Sequence, residues 1–286
     1  MPAAFEVDVD NMPIGQRDIC ESWIIGGQRH TLLINDPGMG KSKLLQWLAG
    51  NSNSKTIVGR CTPLDIISTI LAKDPETGKR FEGTLIIDEL HNMTPKDQEV
   101  LLPLLEEGCI WMGDELFPCP HIVILAATTE PDRLIQPLKD RFAWRPYMQP
   151  YRDKDIVAIL EAHPDYCDFP EDDIEMIASI AGGVPRKALT LAKDILEVGR
   201  DLALSTSGYK ANGLTRQQQE YLSTLASMGG TAGAASVKNS MGRTSAKQIG
   251  EIEGALTARG YIKMHSSGRK LTGKGALAHL NCTDVD

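Results

Sequence analysis

Long apolar runs are missing from this chain, and no stretch reaches the roughly 18 residues that a membrane-spanning helix needs. The first ten residues are acidic and lack the basic and apolar regions of a secretory signal, so we expect no export. The six cysteines stand apart without a C-x-x-C pair, at positions 20, 61, 109, 119, 167 and 282. This spacing favours reduced thiols in a cytoplasmic protein over a disulfide framework or a zinc site.

Internal repeats and low-complexity tracts are also missing, and the remaining composition is that of a globular protein. The chain has 286 residues, of which 42% are hydrophobic, 24% charged and 5% aromatic. This length predicts one large domain or two to three small ones, with enough apolar material for a core. Disorder throughout the chain is therefore excluded.

Charge is distributed unevenly along the chain. Residues 211–286 contain nine Lys or Arg and five acidic residues, a net charge of +4, whereas the rest of the chain has a net charge of −12. A basic C-terminal module on an acidic body is expected of a motor that holds nucleic acid. Chance asymmetry within a small domain is the alternative.

Apolar segments and helical patterns alternate through the first half of the chain. The predicted strands are 31–35, 56–58, 84–88 and 121–127. Three helices are predicted: one that follows Ser42, one over 63–72 and one from Thr94 to about Gly108. This alternation predicts an α/β fold in which a parallel sheet lies between two helical layers. Residues 152–200 are only helical in pattern, and a small α+β module follows the linker-like segment 207–213.

The segment NDPGMGKS, residues 35–42, has the strand–loop–helix context of a phosphate-binding loop. Its glycines allow backbone N–H groups to face phosphate oxygens at a helix N-terminus. The predicted nucleotide-binding residues are Pro37, Gly38, Met39, Gly40, Lys41 and Ser42. Lys41 would reach the β- and γ-phosphates and Ser42 would ligate Mg²⁺. Asn35 replaces the usual first glycine, and because Asn tolerates a positive φ we expect the turn to survive. A glycine-rich turn without a ligand is the alternative.

Two acids follow the third predicted strand in LIIDELH, residues 85–91. Carboxylates at the C-terminal ends of parallel strands lie where α/β sheets bind ligands. Asp88 is therefore predicted to hold the Mg²⁺ shell and Glu89 to polarise the attacking water, although acids at strand ends are also common without a ligand. His91 is predicted to be a surface or structural residue.

Hydroxyl and basic side chains complete the candidate set. Thr128 and Thr129 end the fourth strand, where one hydroxyl would contact the γ-phosphate or the attacking water; strand-end capping is the alternative. Arg141 in PLKDRF and Arg186 in GGVPRKA are each typical of a solvated charge. Together with the loop and the acids they would supply the positive charge that phosphoryl transfer needs.

These strings, in their order and spacing, resemble the AAA+ ATPases and, within them, the RuvB Holliday-junction branch-migration motors. The resemblance runs from PIGQ at 13–16 to AHL at 278–280. It implies a three-layer ATPase domain over 1–149, a helical lid over 150–207 and a winged-helix DNA-binding domain over 208–286. It also implies ATP and Mg²⁺ as cofactors, duplex or junction DNA as a partner, and a homo-oligomeric ring, usually a hexamer.

The resemblance assigns a role to each candidate residue. It implies adenine contacts for Ile14 and Gly15, Walker A for Lys41 and Ser42, Walker B for Asp88 and Glu89, sensor 1 for Thr129, the arginine finger for Arg141 and sensor 2 for Arg186.

The C-terminal module resembles the winged helix of that family. Candidate helices cover 215–228 and 245–259, strands cover 260–264 and 270–272, and HSSG at 265–268 is the wing turn. Arg269 and Lys270 at the wing are predicted to contact DNA phosphates without sequence preference. Protein docking is the alternative role for this module.

Three features depart from the family pattern: Asn35, the acidic Glu130 where the family tends to have a basic residue, and a short hairpin segment at 109–121. They fit a divergent relative, encoded for instance by a bacterial virus or mobile element. The predicted function is ATP-driven branch migration or DNA translocation, with a junction-binding or replication protein as a further partner. The alternatives are a clamp-loader-like or helicase-loader-like ATPase acting on a partner ring, and a non-hydrolysing DNA-binding scaffold.

Overall fold

The computed structural model describes residues 11–50, 53–57, 61–73, 78–210, 212–242, 245–266 and 268–280. They belong to two compact units, residues 1–151 and 152–286. No helix within these described ranges is long and apolar enough to cross a membrane.

The first unit is built on a parallel sheet formed by the four predicted strands. Its elements in chain order are α1 (Arg17–Gly26), β1 (Thr31–Ile34), α2 (Lys41–Ala49), β2 (Ser54–Ile57), α3 (Pro63–Leu71), β3 (Gly83–Ile87), α4 (Pro95–Gln98), α5 (Leu101–Glu107), β4 (Cys109–Met112), β5 (Glu115–Pro118), β6 (Ile122–Thr128) and α6 (Gln136–Arg141). The strand order in the sheet is β1–β6–β3–β2, and all neighbouring strands are parallel.

Both faces of the sheet are buried along β1, β3 and β6, as their apolar sequences predict, whereas the edge strand β2 is mostly exposed. Successive residues point to opposite faces, so Leu32 packs with the buried side chains of α3, α5 and α6, whereas Leu33 packs with those of α1 and α2. Both leucines are fully buried. The predicted three-layer α/β architecture is thereby confirmed.

An edge segment that the sequence did not predict extends the sheet beyond β1. Residues 144–147 run parallel to β1, with bridges that pair Trp144 with Thr31 and Tyr147 with Ile34. The Leu32 N–H donates to the Trp144 carbonyl at 2.9 Å. Arg145 and Pro146 interrupt the apolar pattern of this segment, which is why it did not read as a strand.

The helix predicted from Thr94 to Gly108 is divided into α4 and α5. It begins as predicted, because the Thr94 hydroxyl accepts a hydrogen bond from the Asp97 N–H, and it ends at Gly108 with φ 63°. The strands β4 and β5 then form the expected antiparallel hairpin, in which Trp111 lies opposite Leu116.

The second unit contains four helices followed by a winged-helix module. Its elements are α7 (Asp153–Glu161), α8 (Glu171–Ala181), α9 (Pro185–Val198), α10 (Arg200–Thr206), α11 (Arg216–Ser227), β7 (Thr231–Ala232), α12 (Ala234–Ser240), α13 (Ala246–Ala258), β8 (Ile262–His265), β9 (Gly268–Leu271) and α14 (Gly273–Leu280). The sheet order is β7–β9–β8, with antiparallel pairing. The helices α12 and α14 were not predicted, and Ser267 of the predicted wing turn lies outside the described residues.

Candidate nucleotide-binding site

The phosphate-binding loop lies between β1 and α2, where the sequence predicted it. Gly38 and Gly40 have φ values of 82° and 79°, in the left-handed region that favours glycine. A Cβ atom at Gly40 would lie 2.9 Å from the Tyr151 hydroxyl, so the close packing of Tyr151 also requires glycine there. The loop therefore leads into the N-terminus of α2, a position suited to binding an anion.

The turn at Asn35 survives, as expected, although Asn35 does not adopt a positive φ. Glu89 is the one non-glycine residue with a positive φ in the part of the chain that the structure describes. Asn35 instead accepts a hydrogen bond from the Asp36 N–H through its own Oδ1 at 2.8 Å. The loop tolerates the missing first glycine because this position needs no left-handed conformation.

Lys41 is almost fully buried, and its ammonium group lies inside the phosphate-binding loop. Its Nζ donates to the backbone carbonyls of Asn35 and Asp36 at 2.8 and 3.0 Å. These contacts hold the side chain back against its own loop, within reach of any anion that the loop binds. A lysine in this place supplies a point charge for phosphate oxygens.

The two predicted magnesium ligands are in direct contact. Ser42, at the start of α2, donates its hydroxyl proton to Asp88 Oδ2 at 2.6 Å, and Asp88 immediately follows β3. No cluster of three or more His, Cys, Asp or Glu residues that could hold a metal occurs within the described ranges. One hydroxyl and one carboxylate fit Mg²⁺, which keeps several waters and takes further oxygens from nucleotide phosphates.

Glu89 and the predicted sensor residue Thr129 are also in contact. Glu89 Oε2 accepts hydrogen bonds from the Thr129 N–H at 3.2 Å and from its hydroxyl at 3.1 Å. Glu89 has φ 54° and ψ 53°, a left-handed conformation that costs of order 1 kcal/mol for a residue with a side chain. Strained backbone of this kind is common at functional sites, and here it turns the carboxylate toward the end of β6.

The turn that contains Ile14 and Gly15 is tied to the same site. Gln16 closes the turn by donating its N–H to the Pro13 carbonyl, and its side-chain amide donates to the Gln149 carbonyl at 2.9 Å. Gln149 lies two residues before Tyr151, the residue that packs on Gly40. The position of this turn beside the loop agrees with an adenine contact, which stays a prediction.

The two candidate arginines have different surroundings. Arg141 ends α6, and its Nε donates to Glu106 at 2.6 Å while an Nη donates to the Pro137 carbonyl. Sequence reasoning did not identify Glu106 as a partner. Arg186 is an exposed residue in the first turn of α9, in the second unit. Their roles as arginine finger and sensor 2 stay predictions.

At the wing, the structure separates the two basic residues that the sequence had paired. Arg269 faces the interior of the winged helix, where its Nε and Nη2 both donate to the Glu253 carboxylate at 2.7 Å. Tyr221 donates its hydroxyl proton to the same carboxylate at 2.8 Å. This arrangement does not support a phosphate contact from Arg269, because its guanidinium is already engaged. Lys270 is exposed, and its predicted DNA contact remains available.

The Arg269–Glu253 pair leads to a prediction about stability. The replacement Arg269→Met should destabilise the folded winged helix by about 3 kcal/mol, because it leaves a buried carboxylate without its counter-ion. Although burial raises the pKa of Glu253, hydrogen bonds from Arg269 and Tyr221 lower it below its ordinary value. A carboxyl group with a lowered pKa stabilises the fold at pH values above its ordinary pKa, and this stabilisation is lost as the pH falls through the lowered pKa. The difference in free energy of unfolding between wild type and variant should therefore shrink as the pH falls through that range.

Denaturant unfolding of the full chain between pH 3 and 7 would measure this difference. Lys270→Met is the matched control, since it changes the neighbouring, exposed residue. Equal stability of the Arg269→Met and Lys270→Met proteins at neutral pH would contradict the structural role of the pair.

Two family models match this chain. The ATPase family associated with various cellular activities (AAA) matches residues 31–149, and the RuvB C-terminal winged helix domain matches residues 211–281. The second match covers the α+β module that the sequence analysis separated by charge and pattern.

Similar proteins and structures agree with both family models. The Holliday junction branch migration complex subunit RuvB of a Wolbachia species from Brugia malayi is 27% identical over 275 residues, which cover 86% of this chain and 82% of that protein. A point mutant of Thermotoga maritima RuvB has a TM-score of 0.59 at 23% identity, covering 96% of this chain and 98% of its own. The T. maritima RuvB Holliday junction branch migration motor has a TM-score of 0.54 at 23% identity, covering 94% and 95%. The chain therefore contains an AAA ATPase domain over residues 31–149 and a RuvB-type C-terminal winged helix domain over residues 211–281, and it is similar to RuvB over most of its length.

Proposed function

We propose that this chain is an ATP-driven DNA motor that acts in branch migration or DNA translocation as a homo-oligomeric ring. The observation that carries the proposal is an ordered set of Walker A, Walker B and sensor 1 contacts in a chain with a RuvB-type winged helix. The similarity to branch migration subunits favours this function over a loader of a partner ring. A cytoplasmic location and the domain limits at 149 and 207 stay predictions.

The nucleotide site assigns separate tasks to its residues. The N–H groups at the start of α2 and the Lys41 ammonium bind phosphate oxygens, while Ser42 and Asp88 hold Mg²⁺, which neutralises phosphate charge when bound. Glu89 orients the attacking water and accepts its proton, and Thr129 orders the γ-phosphate end of the site. Arg141 and Arg186 would add the positive charge that phosphoryl transfer needs on the γ-phosphate.

The outer face of the wing supports duplex DNA as the partner. Lys263 of β8 lies directly opposite Lys270 of β9, and both side chains are exposed. Like charges directly opposite each other destabilise a strand pair, and an anionic partner would relieve this repulsion. The net charge of +4 on residues 211–286 also favours an anionic partner such as DNA.

The combined replacement Lys263→Ala/Lys270→Ala should weaken binding of all DNA sequences about equally. The slope of log affinity against log salt should fall by up to about two, because each lost phosphate contact is worth about 0.9 on duplex DNA. ATP hydrolysis without DNA should persist, since the nucleotide site lies in the first unit. Fluorescence anisotropy of labelled duplex DNA across a salt series measures the slope.

Lys154→Ala/Lys193→Ala is the matched control, because it removes two exposed lysines from the helices α7 and α9 and changes net charge equally. An unchanged salt slope in the wing variant would show that the wing does not hold DNA. A branch-migration assay of wild type on a four-way junction distinguishes a motor from a loader. A motor moves the branch point, whereas a loader alone does not.

The β4–β5 hairpin supports a protein partner. Trp111, Met112 and Leu116 are each nearly half exposed, with relative exposures of 49%, 49% and 46%, and they cluster near a short turn at Gly113. Exposed apolar side chains that lie close together on a hairpin are typical of a docking element. We infer that a junction-binding or replication protein binds there.

A further inference from the structure

A buried histidine connects the catalytic carboxylate to a second acid. The His91 side chain is 7% exposed, and its Nδ1 lies 3.0 Å from the Thr128 hydroxyl and 3.3 Å from Glu89 Oε2. On the other edge of the ring, Nε2 lies 3.3 Å from Glu130 Oε1. The imidazole therefore lies between Glu89, which follows β3, and Glu130, which follows β6.

Glu130 determines which edge of the ring faces Glu89. A half-turn of the imidazole about its Cβ–Cγ bond would exchange Nδ1 and Nε2 with carbon atoms, and both carboxylates would then face C–H groups. A carboxylate beside Nε2 opposes that turn, because an N–H donates a hydrogen bond to it and a ring C–H does not; an imidazole with a proton on each nitrogen donates to both carboxylates at once. Glu130 is itself fixed by its backbone, since its N–H donates to the Thr128 hydroxyl at 3.1 Å.

We propose that Glu130 is a positioning residue for ATP hydrolysis, acting through the imidazole of His91 to hold the carboxylate of Glu89 at the end of β6. The proposal rests on the proposed role of Glu89 in orienting water. It gives a task to the acid that stands where the resembling family tends to have a basic residue. Hydrolysis is sensitive to such a link because a displacement of a catalytic group by about 1 Å can lower the rate strongly.

Steady-state ATP hydrolysis by Glu130→Ala tests the proposal. We expect kcat to fall about three- to tenfold with little change in the KM for ATP, because Glu130 positions the hydrolytic carboxylate and does not bind phosphate. Glu130→Gln keeps one acceptor oxygen and should lose less. Asp132→Asn is the control for lost charge near β6, and Arg133→Gln is the control for the other ion pair of Glu130, at 3.6 Å.

The coupling is tested with His91→Asn, whose amide can replace Nδ1 near Glu89 and Thr128 but is too short to reach Glu130. Adding Glu130→Ala to His91→Asn should cause no further loss, since the link is already cut. ATP-analogue affinity and the unfolding temperature of Glu130→Ala should match those of wild type. A purely structural role would lower the unfolding temperature as well.

Three results would overturn the proposal: an unchanged kcat in Glu130→Ala, an equal loss in Arg133→Gln, or additive losses in the double variant. If His91→Asn does not fold, the graded series of Glu130→Gln and Glu130→Ala with its two controls decides the matter. Wild type and Glu89→Gln are measured alongside. If Glu89→Gln abolishes ATP turnover and Glu130→Ala leaves it unchanged, the positioning role of Glu130 is refuted but the proposed site stands. If wild type and Glu89→Gln turn over ATP equally fast, the proposed site itself is refuted.

Discussion

The variant Glu89→Gln should bind ATP normally and hydrolyse it at least about a hundredfold more slowly than wild type. Glutamine has the shape of glutamate, so its amide oxygen can still accept the two hydrogen bonds from Thr129. What is lost is the negative charge that orients water and takes its proton. Affinity should persist because Lys41, Ser42 and Asp88 remain in place.

Two measurements together check this expectation: phosphate release under saturating ATP, and binding of a fluorescent ATP analogue. Glu99→Gln is a suitable control, since Glu99 is an exposed acid just beyond α4. Turnover close to that of wild type would remove Glu89 from the catalytic role. A loss of analogue binding would instead point to a structural role for the strained backbone at this residue.

The variant Arg141→Ala should lose hydrolysis about a thousandfold and recover part of it when mixed with Lys41→Ala protein. Arg141 donates to Glu106 and to the Pro137 carbonyl, and among the described residues it makes no hydrogen bond or ion pair with the phosphate-binding loop. An arginine that completes a neighbouring subunit's site acts in trans. In a mixed ring, an intact loop from one variant can meet an intact arginine from the other.

The matched control is a mixture of Lys41→Ala with the double variant Lys41→Ala/Arg141→Ala. That mixture contains no intact loop, so it should remain inactive at every ratio. Native mass spectrometry establishes that mixed rings form. If mixed rings form and the mixture of Arg141→Ala with Lys41→Ala stays inactive, the active site is not shared between subunits.

Local patterns were enough to locate most of the nucleotide site. The strands β1, β3 and β6 lie on apolar segments that the sequence marks clearly, and in a parallel sheet their C-terminal ends meet at one edge. Ser42 and Asp88 are 46 positions apart in the chain, yet this rule predicted that they would act together, and they are hydrogen-bonded. Motif spacing carried this prediction because backbone geometry, and not side-chain packing, brings strand ends together.

Side-chain direction was harder to predict. Arg269 and Lys270 are neighbours at the wing, but successive residues of a strand face opposite sides, and only the pairing register decides which side is inward. Arg269 proved to be the inward residue, paired with Glu253 from α13. The edge segment at 144–147 was missed for a related reason. Its extended conformation depends on pairing with β1, and its own sequence lacks the apolar pattern of a strand.

The sequence by itself determined the class of chemistry, because a phosphate-binding loop and two acids after an apolar strand specify an ATPase, while the basic C-terminal module predicts a nucleic-acid partner. Only the tertiary structure decided which polar groups touch. Glu89 and His91 lie on the turn that follows β3, whereas Glu130 follows β6, and their contacts depend on the placement of β3 beside β6 and on the left-handed backbone of Glu89. Motifs are local in the chain, whereas hydrogen bonds require distances of about 3 Å that distant segments set together.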